Sequence, residues 1–209
     1  MIDFDKENKI LIESLVASGV LKTPRIIQAF LQIPRHLFVL KKYLPYAYHN
    51  IALPSLGDQT ISQPYTVATM LEALNPRIGD NVLDIGSGTG WTTCLLGKIV
   101  GNKGKVTGID VEPDLIEFAK KNAAKTKLKN IEFVCDDAKK IYKNGLYDCT
   151  LINAACDSIP DNIIDQTRIG GRIIAPINDN YNQTMTLFQK TNDNLTQTSL
   201  GSFVFVKLK

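Results

Sequence analysis

Five residues, Gly86-Ser87-Gly88-Thr89-Gly90, join the apolar run Asn81-Val82-Leu83-Asp84-Ile85 to Trp91-Thr92-Thr93-Cys94-Leu95-Leu96. Alternate glycines let the backbone turn sharply and let a ligand approach main-chain atoms with no Cβ in the way. A strand before such a loop and a helix after it define the first unit of an alternating α/β chain. From Asp80 onward the sequence keeps that alternation. Strands are expected at 81–85, 105–110, 130–135, 147–153 and 171–176, and helices at 90–100, 113–126 and 160–168. Pro113 and Pro160 stand near helix starts, and Gly170-Gly171 turns the chain back into a strand. Two further strands, 184–190 and 201–208, are expected to form a closing hairpin. Short apolar strands separated by helices make a mainly parallel sheet covered on both faces, with its ligand beyond the carboxyl ends of the strands.

The first third reads differently. Leu11 and Leu15 lie four apart in an expected helix over 5–18, and Ile26, Ile27, Phe30 and Leu31 make a stripe in a second helix over 24–33. Thr23-Pro24 supplies a capping hydroxyl and a first-turn proline. Residues 34–62 read as loop, and Pro64 opens a helix to about Leu74. At 209 residues, 44% hydrophobic and 22% charged, the chain can bury a core. Its net charge of +3 argues against a nucleic-acid or membrane partner. Four cysteines without a C-x-x-C pair, and only His36 and His49, argue against a metal site. Early acids at Asp3 and Asp5 do not resemble a secretory leader, and no long apolar run suggests a membrane span. The expectation is a cytoplasmic protein with reduced thiols.

Two ligand classes compete for the glycine loop. A dinucleotide site wants its third glycine at position 91, where Trp91 stands; here it falls at Gly90, and Asp84 lies two residues before the first glycine. That arrangement suits S-adenosyl-L-methionine, whose ammonium a carboxylate such as Asp84 can attract and which has no pyrophosphate to cradle. Gly86, Ser87 and Gly88 would pack against it. Asp110, ending the second strand, can accept from ribose hydroxyls, although Pro113 close behind makes helix capping a competing role. Asp137, after the third strand, can accept from the adenine amine. Its neighbour Asp136 reads as a solvated charge, and Ala138 leaves room for a flat base.

Several strings carry a family resemblance. They are Ile33-Pro34-Arg35-His36-Leu37-Phe38-Val39, Ala47-Tyr48, Ala52-Leu53-Pro54 and Gln59-Thr60-Ile61-Ser62-Gln63-Pro64-Tyr65, followed by Ala154-Ala155, Ile159-Pro160, Gly170-Gly171-Arg172 and Pro176. From about residue 23 onward the chain resembles the protein-L-isoaspartate (D-aspartate) O-methyltransferase family. The resemblance implies an α/β class I S-adenosylmethionine-dependent methyltransferase fold, Rossmann-like, with an N-terminal helical extension and closing loop over 1–63 and the methyltransferase domain over 64–209, together one compact unit. It implies methylation of the carboxylate of L-isoaspartyl residues in damaged proteins and peptides, with S-adenosyl-L-homocysteine as the spent product. By the same resemblance Ser62 is the catalytic residue. Gln59, Thr60, Ile61 and Ser62 form the stretch that closes over the cofactor, and Asp110, Val111, Asp137 and Ala138 contact it.

From the residues alone, Ser62 reads as a helix N-cap and Trp91 as core, and His36 as loop structure. Departures from the family pattern fall on the acceptor side: Asn50 for an aspartate, Asp58 for a glycine, and Lys207 for a proline. Asp58 can repel an anionic substrate or cap a solvent-facing turn, and Lys207 and Lys209 can attract one. The alternatives are a methyltransferase for another acceptor (aspartate in a dedicated peptide, a tRNA base, a small molecule) and a cofactor-binding scaffold without turnover.

Overall fold

The computed structural model describes residues 2–140, 146–179 and 181–208. Lys209 lies outside them. Seven strands form one sheet: β3 (Asn81–Ile85), β4 (Lys105–Asp110), β5 (Ile131–Cys135), β6 (Tyr147–Ile152), β7 (Thr167–Asp179), β8 (Asn182–Lys190) and β9 (Leu195–Phe203). Their order is β5-β4-β3-β6-β7-β8-β9. The first five are parallel, and β8 and β9 add antiparallel. After β3 the chain builds outward through β4 and β5, then returns to place β6 on the other side of β3. The reversal opens a crevice at the carboxyl ends of β3 and β6, where doubly wound sheets bind ligands.

Helices α4 (Trp91–Val100), α5 (Pro113–Ala124) and α6 (Asp161–Asp165) connect the strands. In β3, Leu83 and Ile85 join one apolar cluster while Val82 joins the other, so the sheet is buried on both faces. The N-terminal helices α1 (Phe4–Ala17) and α2 (Pro24–Gln32) share a core with the sheet rather than forming one of their own. Ile26, Ala29 and Phe30 of α2 are buried, and Phe30 meets Trp91 edge-on at 5.6 Å. Asn8 of α1 donates to the carbonyls of Phe30 and Leu31, satisfying acceptors that the end of α2 leaves open.

Three expectations need correction. Thr23 does not cap α2 with its hydroxyl; that group donates to Glu72, whose other oxygen accepts from the Lys22 and Thr23 amides. The helix expected over 160–168 stops at Asp165, because β7 begins at Thr167, before the glycine pair. The second hairpin strand lies at 195–203, not 201–208. Thr191 and Asn194 close a tight polar turn, so pairing resumes at once in a mostly exposed edge strand whose polar residues hide it from hydrophobicity. The apolar segment after β9 crosses the end of β6 instead, where Ala155 bonds to Val206 and Leu208.

Within 34–62, read as loop, lie two short 3-10 turns (Arg35–Phe38 and Lys41–Tyr46) and a small antiparallel ribbon of β1 (Leu53–Pro54) and β2 (Thr60–Ile61). The ribbon delivers the chain to α3 (Pro64–Leu74) beside the crevice.

Candidate active site

The glycine loop sits at the β3 end of the crevice, with Gly86, Gly88 and Gly90 all at positive φ. Gly90 is the most constrained: a Cβ there would meet Phe133 at 3.0 Å and Ala119 at 3.1 Å, so this glycine seats the start of α4 against its neighbours. The Gly86 and Ser87 amides donate to the Ile109 carbonyl, and the Gly88 amide donates to Asp110 Oδ2 at 2.9 Å. Asp110 Oδ1 accepts from the Glu112 amide at 3.1 Å. One carboxylate therefore ties the loop to the start of α5, and Asp110 also lines the cavity. Burial raises its pKa, opposed by those amides.

Asp84 departs from its expected place. Strand alternation turns its side chain toward α4, where it is wholly buried. Thr92 and Thr93 donate to Oδ2 at 2.8 and 2.6 Å, and Asn153 Nδ2 donates to Oδ1 at 2.7 Å. Burial pushes the carboxyl up to about 6 against these three donors. Asp84 thus lies beneath the pocket, not on its wall; Thr92 and Asn153, which hold it, are on the wall.

Beyond β5, the Asp136 amide donates to the Asp110 carbonyl, and Asp137 Oδ1 accepts from the Lys139 amide. Asn162 holds the Ala138 carbonyl at 2.8 Å. Opposite stands the loop ending in Ser62. Gln63, not Ser62, is the N-cap residue of α3, and the cap is supplied from elsewhere: Asn50 Oδ1 accepts from the Tyr65 amide at 2.9 Å. The Ser62 hydroxyl makes no hydrogen bond among the described residues.

These parts enclose a cavity of about 880 Å³. Its wall contains eleven of the twelve residues singled out from sequence: Gln59, Thr60, Ile61, Ser62, Gly86, Ser87, Gly88, Asp110, Val111, Asp137 and Ala138. Trp91 touches it too but is 3% exposed and packs in the core. His36 serves the loop, stacking on Phe4 and meeting Tyr48 Oη at 2.6 Å. Asp58 is exposed and off the wall, whereas Lys207 is on it. Asn153 and, apart from Lys207, the 200–208 segment were not marked by the sequence. Asn153 follows β6 at the strand-order reversal, a place that topology alone could have marked.

Two buried polar atoms on this wall, Ser87 Oγ and Asn153 Oδ1, have no hydrogen-bond partner among the described residues. Such groups are costly unless a ligand completes them. Asn153 Oδ1 suits an ammonium, and Asp110 and Asp137 suit hydroxyl and amine donors, so the residues present fit S-adenosylmethionine. Fold and cavity together define a class I S-adenosylmethionine-dependent methyltransferase.

Comparison with known proteins narrows the class. The family model of protein-L-isoaspartate(D-aspartate) O-methyltransferase (PCMT) matches residues 6–209. Protein-L-isoaspartate O-methyltransferase of Pyrococcus horikoshii is 34% identical over 203 residues, 96% of this chain and 91% of that protein. The enzyme of the same name from Methanospirillum hungatei is 37% identical over 193 residues, 92% of this chain and 88% of its own. A solved structure titled protein-L-isoaspartate O-methyltransferase superposes with a TM-score of 0.88 at 31% identity, covering 96% of this chain and 65% of that one. The fold is also shared, at a TM-score of 0.87 and 23% identity over 97% of this chain and 98% of the other, with a Plasmodium falciparum protein described as a PCMT and solved with S-adenosyl-L-homocysteine. The chain belongs to the protein-L-isoaspartate(D-aspartate) O-methyltransferase family and is a methyltransferase of that type.

Proposed function

We propose that Ser62 is the catalytic residue, presenting its hydroxyl to the carboxylate of an L-isoaspartyl residue while the rest of the cavity holds S-adenosylmethionine. The observation that carries this is the unengaged Ser62 hydroxyl on the cavity wall, with Asn50 doing the capping that would otherwise claim it.

When bound, S-adenosylmethionine supplies a methyl group on a positively charged sulfur. A carboxylate with a pKa of about 4 is already ionised at neutral pH, so the chain need supply no base. Its task is alignment and exclusion of water, and positioning of this kind is worth roughly 7–11 kcal/mol in favourable intramolecular cases. Ser62 donates to one carboxylate oxygen and leaves the other to attack. Gln63, Tyr65 and Thr66, at the amino end of α3, line the same wall, and the helix dipole there favours an anion. Gly86, Ser87, Gly88 and Asn153 would hold the amino-acid end of the cofactor, Asp110 and Val111 the ribose, and Asp137 and Ala138 the base. The acids Asp110, Glu112, Asp136 and Asp137 gather on that side of the cavity. Lys207, on the segment that crosses β6, offers the substrate a cation.

The methyl ester so formed is a better leaving group than a carboxylate. The adjacent backbone N–H attacks the ester carbonyl and expels methanol, and water then opens the resulting succinimide without help, at one carbonyl to normal aspartate and at the other back to isoaspartate. Substrates are thus isoaspartyl-containing proteins and peptides. Among the described residues no helix is long and apolar enough to cross a membrane. The four free cysteines suit a reducing, cytoplasmic setting.

The test is methyl incorporation into paired peptides that differ only in an isoaspartyl or an aspartyl linkage. Base-labile methyl should accumulate on the first and not the second; equal incorporation defeats the assignment.

A further inference from the structure

Arg35 is 1% exposed, the largest side chain so buried, and no carboxylate pairs with it among the described residues. Among the described residues its hydrogen bonds all go to main-chain carbonyls. Nη1 donates to Ala47 at 2.8 Å and to His49 at 3.4 Å. Nη2 donates to Ile51 at 2.9 Å, to Ser62 at 3.1 Å and to Ile61 at 3.5 Å. The guanidinium carbon lies 5.4 Å from the centre of the Trp91 ring. Burial pulls the group's pKa down to about 9, which still leaves it charged at neutral pH.

Burying a cation costs several kcal/mol, and an apolar side chain of similar size would fill the same space without that cost. The charge therefore needs a reason beyond packing. Every carbonyl it gathers belongs to residues 47–62, the one segment that carries Gln59–Ser62. That segment has little regular structure to hold it, since its ribbon is two residues wide on each side. Drawing the Ser62 carbonyl inward also fixes the next peptide plane. In a trans peptide the Gln63 N–H then points away from Arg35.

We propose that Arg35 is a positioning residue for methyl transfer: it anchors the Ile61 and Ser62 carbonyls from inside the protein and so sets the Ser62 hydroxyl toward the cavity. The inference rests on the reading of Ser62 as the catalytic donor.

The test is a double-mutant cycle with Arg35→Lys and Ser62→Ala, read as kcat and KM on an isoaspartyl peptide and as the S-adenosylhomocysteine dissociation constant by calorimetry. Lysine keeps the charge but cannot span five carbonyls in the guanidinium's planar fork. Displacements of about 1 Å near reacting groups can cost on the order of a hundredfold in rate. Arg35→Lys should lower kcat at least tenfold, leave the dissociation constant within about threefold, and cause no further loss when Ser62 is already alanine. A reduced Ser62→Ala rate, with the same Arg35→Lys loss in both backgrounds, overturns this inference alone. An unchanged rate in Ser62→Ala overturns the Ser62 reading and this inference with it. A second measurement, amide hydrogen exchange on Arg35→Gln, should show acceleration confined to residues 47–63. Acceleration spread through β3 to β7 makes Arg35 a general structural residue and overturns the inference.

Discussion

Asn50 Oδ1 accepts the Tyr65 amide proton at 2.9 Å, so helix α3 is capped by a residue fifteen positions before its first free N–H rather than by the nearby Ser62. Losing a side-chain cap costs about 0.5–2 kcal/mol. Asn50→Ala should lower the melting temperature by a few degrees and kcat severalfold, because Ser62 is then free to turn onto the helix. Asn50→Asp keeps the acceptor and should preserve both. Thermal melts and kcat on the two variants check this; identical behaviour would show that the cap has no bearing on Ser62.

On the role proposed for Ser62, Ser62→Ala removes a donor to the substrate and breaks no side-chain hydrogen bond among the described residues. Its kcat should fall about 10- to 100-fold, with the S-adenosylhomocysteine dissociation constant within about threefold of the parent. Calorimetry beside steady-state kinetics separates the two, and a parallel loss of cofactor affinity would make Ser62 a cofactor ligand first.

The Asp84 carboxyl is raised by burial from its ordinary 3.8 to about 6. The folded protein therefore holds this proton more tightly than the unfolded chain does. The resulting stability is complete below about pH 3.8 and is lost as pH rises through about 6. Asp84→Asn cannot ionise. The stability of the parent relative to this variant should thus fall between pH 4 and 7, by at most about 3 kcal/mol. Denaturant melts across that range measure it. The ionised form also favours a cationic cofactor above it, so S-adenosylmethionine affinity should weaken below about pH 6 in the parent and stay level in the variant.

Asp110→Ala frees the Gly88 and Glu112 amides together and loosens the glycine loop. S-adenosylhomocysteine binding should weaken at least tenfold, with about 1–3 kcal/mol lost in stability. Asp110→Asn retains one acceptor and should fall between. Binding isotherms on both decide the matter; unchanged affinity in the alanine variant removes Asp110 from the cofactor site.

Lys207 brings a cation to the cavity wall, which on the proposed reading an isoaspartyl carboxylate approaches. Lys207→Ala should raise KM for the peptide severalfold, and more at low ionic strength than at high, while leaving S-adenosylhomocysteine affinity unchanged. A KM indifferent to both the substitution and salt would place the lysine outside substrate attraction.

The parallel half of the sheet was legible because each strand is a short apolar run beside a helix opened by glycine or proline. β3 matches its expected bounds, and β4 does too. β9 was not legible, since an exposed edge strand such as Leu195–Phe203 carries no apolar alternation. Asp84 was misplaced for a related reason: the loop motif shows that an acid is present, while only the pleat shows which face it takes. The cap of α3 was hidden because it comes from Asn50, whose reach to Tyr65 depends on how residues 50–64 fold back. Arg35 reads as an ordinary polar residue until five carbonyls from a later segment are seen around it.

The most direct test is a crystal structure with S-adenosylhomocysteine. The proposed arrangement puts the ligand's amino-acid end between Ser87 and Asn153, its ribose on Asp110, and its sulfur facing the Ser62 hydroxyl across the cavity. A ligand bound elsewhere, or a Ser62 side chain turned onto the amino end of α3 with the nucleoside in place, would contradict it.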